Sequence, residues 1–283
     1  MRIPLQVLVF RGFILRMPKS LALSVALVLA APVFAQAGER EHWWSGDWYL
    51  TLGAEGFVAP RYKGSSDYLL QASPLISLGR AGNVTRFTSR NDSASFSLYD
   101  TGAVRAGVAG KLIMPRDDDT SSDLKGLNDI EFGVELGGFA EVYPTDWLRL
   151  RAEVRQGIRS HTGLVADIAA DAFMDVVPGV RVSGGPRISL ASSDYMDAYY
   201  GVNAKESAAS GLSEYDPGGG VQSVGVGGAV NWQTTEKIAT SVFAEYSRLT
   251  GPAGDSSLVR ERGDRNQFLV GVGATYKFGF TLP

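Results

Sequence analysis

Charged residues in this chain fall at every second position along several stretches, a spacing that gathers them on one side of an extended backbone. Arg149, Arg151, Glu153 and Arg155 alternate with Leu148, Leu150, Ala152 and Val154. Upstream, Glu131, Glu135 and Glu141 share the parity opposite to Ile130, Phe132, Val134 and Leu136. Asp167, Asp171 and Asp175 repeat the pattern downstream, and Arg105, Lys111, Arg181 and Arg187 hold the equivalent places in their own segments. Side chains on a strand point alternately to opposite faces, so each stretch carries one apolar and one charged face. In a two-layered soluble sandwich those charges would meet bulk water. In a closed cylinder they would meet one another across the lumen, as the wall of a narrow polar channel or as a salt-bridged plug. A three-residue turn at Pro144 to Asp146 predicts Glu141 opposite Arg149 and Glu135 opposite Arg155, each pair adding roughly 0.2 to 1 kcal/mol.

Other chemistries find less support. Of the two histidines, His42 lies near the start and His161 follows Ser160. A serine hydrolase needs a nucleophile, a base and an orienting partner within hydrogen-bond reach, and no Gly-x-Ser-x-Gly turn presents Ser160. No catalytic residue is therefore assigned. Asp117, Asp118 and Asp119 could attract a hard cation, but the glycine at the sixth position and the acid at the twelfth of a calcium loop are missing, so no metal site is assigned. Gly218, Gly219 and Gly220 read as a flexible loop end rather than a phosphate cradle, and no cofactor is expected. Cysteine is absent, which removes disulfides and lipoprotein anchors. A net charge of −3 argues against a nucleic-acid partner.

The elements that would position these residues are strands. Trp48, Leu50, Leu52 and Ala54 alternate with polar or small residues, as do Val104 to Leu112, Val224 to Trp232 and, most clearly, Gln267 to Phe278. No helical pattern intervenes, so the sheet should be antiparallel. Short connections (Gly79 to Asn83, Asp100 to Gly102, Pro144 to Asp146, Val177 to Gly179, Gln233 to Glu236) alternate with longer ones at Ala59 to Leu69, Pro115 to Asp129, Ser192 to Gly220 and Leu249 to Asn266. Asp167 to Asp175, spaced by four, suits a helix as well, but the Pro-Gly turn that follows favours a strand. The reading is all-β, a transmembrane antiparallel β-barrel of about twelve strands, the weakest pair being Val84 to Ser89 and Ala94 to Tyr99. Trp48, Trp232 and Phe278 fall near the short turns and Phe132, Tyr246 and Phe268 near the opposite ends, as two aromatic girdles at the lipid interfaces would. Arg248, Arg260, Arg262 and Arg265 stand where anionic headgroups or lipopolysaccharide could meet them. Ala204 to Ala209 could form one or two helical turns ending at Gly211.

An export address precedes the strands. Lys19 leads an apolar run from Leu21 to Ala31, and Val33-Phe34-Ala35 is a cleavage pattern, with Met17 an alternative start. The run is shorter than the roughly 20 residues a spanning helix needs. Residues 1–35 are thus expected to be a signal peptide, 36–46 a periplasmic segment and 47–283 the barrel.

Three segments together resemble the MipA/OmpV family: Pro60 to Ser65 with Tyr68, Tyr195 to Tyr215 running into Gly218-Gly219-Gly220, and Asp255-Ser256-Ser257-Leu258-Val259. The chain departs from the family pattern at Ser257, where a proline is usual, and in ending Thr281-Leu282-Pro283 beyond Phe280. The resemblance implies a non-enzymatic outer-membrane protein of a Gram-negative bacterium, facing lipid and lipopolysaccharide. It further implies a scaffold linking a lytic transglycosylase to a murein synthase, with a narrow porin-like channel as the alternative. Protein recovered from outer membranes should begin at Gln36; an intact mass that retains residues 17–35 would refute the expected cleavage.

Overall fold

The computed structural model describes residues 45–80 and 87–283, so the expected signal peptide and most of the following segment lie outside the described residues. Eleven strands are found there: β1 Gly46–Pro60, β2 Tyr68–Arg80, β3 Ala94–Asp100, β4 Val104–Ile113, β5 Gly133–Thr145, β6 Leu148–Ile158, β7 Leu164–Val177, β8 Val180–Ala191, β9 Gly220–Gln233, β10 Ile238–Leu249 and β11 Asn266–Leu282. They form a single sheet in the order β2-β1-β11-β10-β9-β8-β7-β6-β5-β4-β3, every neighbour antiparallel. The aspartate-spaced stretch is a strand, β7.

Burial is inverted relative to a water-soluble sheet. Along β6, Arg149, Arg151, Glu153 and Arg155 are buried while Leu150, Ala152 and Val154 are exposed. The same inversion recurs on β5, where Glu135 and Glu141 are buried and Leu136 is exposed. A sheet of this kind rests on its charges and offers its hydrocarbon outward, which is stable only against an apolar surrounding.

The sheet curls around a segment of its own chain. β2 and β3 both run toward the rim of short turns, so the chain must return between them. The sequence expects that return as a wall strand over Val84 to Ser89. Residues 84–86 lie outside the described residues, and Phe87, Thr88 and Ser89 form no strand. Instead 87–93 climbs inside the sheet. Phe87 stacks on Phe173 of β7, with ring centroids 4.5 Å apart. Arg90 bonds Glu55 of β1, Asn91 bonds Glu245 of β10, and the Ser93 N–H donates to Glu153 of β6. Strands far apart in the sheet order thus face one short segment, which requires a wrapped sheet. The described residues thus hold eleven strands where the sequence pattern predicts about twelve, because the return segment runs inside the sheet and joins no ladder. Within the described residues β2 pairs only with β1 and β3 only with β4. Pro74, which lacks an N–H, sits in β2 as an edge strand tolerates.

The β5–β6 register also differs from expectation. Thr145 pairs with Leu148 across a two-residue turn, with an irregularity after Val142, so Glu141 stands opposite Arg151 and Glu135 opposite Gly157. Pro144 has no N–H for the ladder and supplies the irregularity. A slip of two residues preserves the face, and the arginines and glutamates still meet. Val154, mid-strand and outward, is a test of the surroundings. Val154→Arg should cost about 2–4 kcal/mol if the side chain meets lipid. Denaturant unfolding from lipid vesicles measures it, and a change within about 0.5 kcal/mol, as on a watered surface, would refute the orientation.

Candidate functional site

Three arginines of β6 organise the interior. The Arg149 guanidinium donates to both carboxylate oxygens of Asp92 on the inner segment, at 2.7 and 2.9 Å, and to Asp171 of β7 at 2.6 Å. Arg151 donates to Glu141 at 2.9 Å and to Glu153 at 2.7 Å. Arg155 reaches Glu135 at 2.9 Å, Glu153 at 2.6 Å and Asp167 at 2.6 Å. Arg105 joins Glu141, and Arg187 joins Asp171. Rings fill the spaces between: Arg151 lies 4.1 Å from the Phe139 centroid, and Arg90 is held between Phe57 and Phe243 at 4.8 and 4.7 Å. Alternating charges bonded in this way give each of the three β6 guanidinium groups at least two carboxylates, although the Arg149 Nε–H is buried without a partner, and the lattice contributes geometric specificity more than net stability.

Not all the charged positions join the lattice. Glu131 precedes β5 and forms an exposed rim pair with Arg159. Asp175 and Arg181 bond each other, exposed, near the short turn. Lys111 faces Glu135 across the β4–β5 ladder without entering an ion pair. Among the aromatics, Phe132, Trp232, Phe268 and Phe278 are exposed on the outer face, and Tyr246 packs on Phe268 with its hydroxyl on Asn266. Trp48 shares the parity of the outward Leu52 and Val58 on β1 but is only 4 % exposed.

His161 is committed to structure. Its Nδ1 accepts the Gly163 N–H at 3.2 Å, which leaves Nε2 carrying the proton toward Glu135 at 3.1 Å. The ring occupies the place a side chain at Gly157 would need, and it meets Tyr195 and Tyr199 edge-on. With both nitrogens engaged, no base remains for Ser160, whose buried hydroxyl has no hydrogen-bond partner. Asp117 accepts the Thr120 N–H and hydroxyl, folding its acidic loop onto itself. Among the described residues no cluster of three or more acidic, histidine or cysteine side chains could hold a metal ion.

The long connections build a cap over one mouth. It contains α1 Ser193–Tyr200, α2 Ala204–Ser210, α3 Gly251–Asp255 and α4 Ser257–Arg262. Asn203 caps α2 with a reciprocal Glu206 contact, and Gly211 ends it at φ 79°, a left-handed conformation that glycine adopts without strain. The remaining short helices carried no readable periodicity. The three motif segments converge here. Tyr62, Leu258, Val202, Leu212 and Leu124 form one apolar cluster, and Tyr195, Met196, Tyr200 and Val259 belong to another. Gln222 donates to the Tyr195 and Tyr200 hydroxyls, the Ser256 hydroxyl donates to the Tyr200 carbonyl, and Gln267 accepts the Gly64 N–H. Burial pushes the Tyr195 and Tyr200 phenols up, so both stay protonated while their oxygens accept from Gln222. Arg262 turns inward to the Asp123 and Ser210 carbonyls and Arg265 pairs with Asp255, which leaves Arg248 and Arg260 as the exposed cations of that group.

Residues 52–278 match the family model described as MltA-interacting protein MipA. No curated protein sequence matches significantly. Among solved structures, a bacterial polysaccharide outer membrane secretin is 8 % identical with a TM-score of 0.43, covering 82 % of this chain and 98 % of its own. OmpT of Vibrio cholerae is 9 % identical with a TM-score of 0.36, over 82 % and 97 %. OprG of Pseudomonas aeruginosa is 14 % identical with a TM-score of 0.28, over 83 % and 96 %. Similarity of that degree transfers no ligand and no activity.

Removing the Arg149 charge should release the inner segment. Arg149→Leu leaves Asp92 and Asp171 buried without their cation, at a cost of roughly 3–5 kcal/mol. Trypsin should then cut after Arg90 under native conditions where the parent resists. Equal resistance in the variant would refute the role of the lattice.

Proposed function

The chain belongs to the MltA-interacting protein MipA family, outer-membrane proteins of Gram-negative bacteria, and from that premise we propose that it is a non-enzymatic scaffold rather than a conduit. Its partners would be a murein-cleaving lytic transglycosylase and a murein synthase, gathered at the periplasmic rim. The proposal includes a membrane-spanning barrel over residues 47–283, with the exposed aromatics at its lipid interfaces, the paired charges in its lumen and Arg248 and Arg260 toward lipopolysaccharide.

One observation carries the reading. The interior is occupied by the 87–93 segment bonded to β1, β6 and β10, while the cap covers a mouth with its own apolar core. A solute path would have to break several charge-assisted bonds at once, each stronger than a neutral one. A hydrolase reading is opposed by His161, whose two nitrogens are both in use. The short turns offer little docking area, so the segment 36–45, with His42, Trp43 and Trp44, is the natural contact.

Reconstituted in planar bilayers, the full chain should give no unitary conductance steps. In detergent it should capture a purified lytic transglycosylase, and deletion of residues 36–45 should abolish capture. Steady ohmic steps, altered by neutralising Arg155, would replace the scaffold with a channel.

A further inference from the structure

The wall is incomplete beside the inner segment. β3 begins at Ala94, opposite Gly110, so Lys111 to Ile113 of β4 have no strand on their far side among the described residues. The facing edge of β2 is likewise unpaired there. Between them lies a cavity of about 740 Å³, within the range of sites for small ligands. It runs through the wall. On the outer face it is lined by Val108 and Leu136, both exposed, and on the inner face by Phe57, Ser73, Ala109 and Lys111.

The polar groups in this mainly apolar space are unbalanced. Lys111 is exposed in the cavity and lies in no ion pair. The carboxylates whose charge reaches it, Glu135 and Asp167, are both bonded to Arg155. The Ser73 hydroxyl is buried without a partner. Glu55 and Asp92, on the same walls, are neutralised by Arg90 and Arg149. An ammonium with no carboxylate of its own, next to hydrocarbon and reachable from the outer face, is a receptor for an anion that arrives with an apolar body.

We propose that the gap between β2 and β4 is a lateral portal that takes the acyl chain of an anionic amphiphile from the membrane, its head group meeting Lys111 and the Ser73 hydroxyl. The chain would lie along Val108, Leu136 and Phe57 and cover the two strand edges. This requires the outer face to meet lipid; it does not require the scaffold role, and the test below involves no murein enzyme.

The full chain is reconstituted in phosphatidylcholine vesicles with one of three probes carrying a diazirine on the same 16-carbon chain: the free fatty acid, its methyl ester, or phosphatidylglycerol. After irradiation, cross-links from an anionic probe should concentrate at residues 71–73 and 110–114. They should exceed the ester's by roughly tenfold, the worth of one bond to a charged group. Lys111→Gln should reduce them to the ester's level, and Lys111→Arg should retain them, with heat-modifiable electrophoretic mobility reporting that each variant is folded. Labelling by the fatty acid alone identifies a free carboxylate as the ligand, and labelling by phosphatidylglycerol alone identifies a phospholipid. Equal labelling by acid and ester, or cross-links spread evenly over the apolar belt, would overturn the proposal.

Discussion

A sheet that turns hydrocarbon outward must keep its charges inside, and there each charge needs an opposite within hydrogen-bond reach. Arg149, Arg151 and Arg155 meet that requirement by sharing six carboxylates drawn from β5, β6, β7 and the inner segment. Backbone ladders join neighbouring strands, and the charge pairs fix which faces and which strands meet in the interior. Everything else follows from this. The strands can be apolar on one side because the charges on the other side meet one another and the inner segment.

The apolar core has moved instead to the cap. Tyr62, Leu258 and Leu212 come from three separate connections and bury one another, so the loops form a small globular lid rather than loose links. Gln222 of β9, bonded to Tyr195 and Tyr200, ties that lid to the barrel wall. His161 adds a second tie, with its ring against the tyrosines and its Nε2–H donating to Glu135. Cap and charge lattice are therefore one connected body.

The strand pattern was legible because a period of two survives any local register error. Where β5 meets β6 the expected pairs slipped by two places, since Pro144 cannot join the ladder and the turn tightened around Asp146 and Trp147. The inner segment was not legible. Arg90, Asn91 and Asp92 have the composition of an ordinary turn, and only their distant partners Glu55, Glu245 and Arg149 reveal their place. The cap was legible in part: Gly211 marked the end of α2, and the shared motif segments marked residues that meet. Lys111 carried the right parity for the lattice but lacks a partner, a difference that alternation alone does not encode.

The inner pass is tethered at both ends to wall strands that are neighbours in the chain, β2 and β3. A polypeptide that threads a sealed ring must be pulled through it, and folds avoid such threading. One that turns inward at an unsealed seam only has to be folded over before the two margins approach. With β2 and β3 as the unpaired margins of the sheet among the described residues, the inner residues can be laid against it without being threaded through a sealed ring.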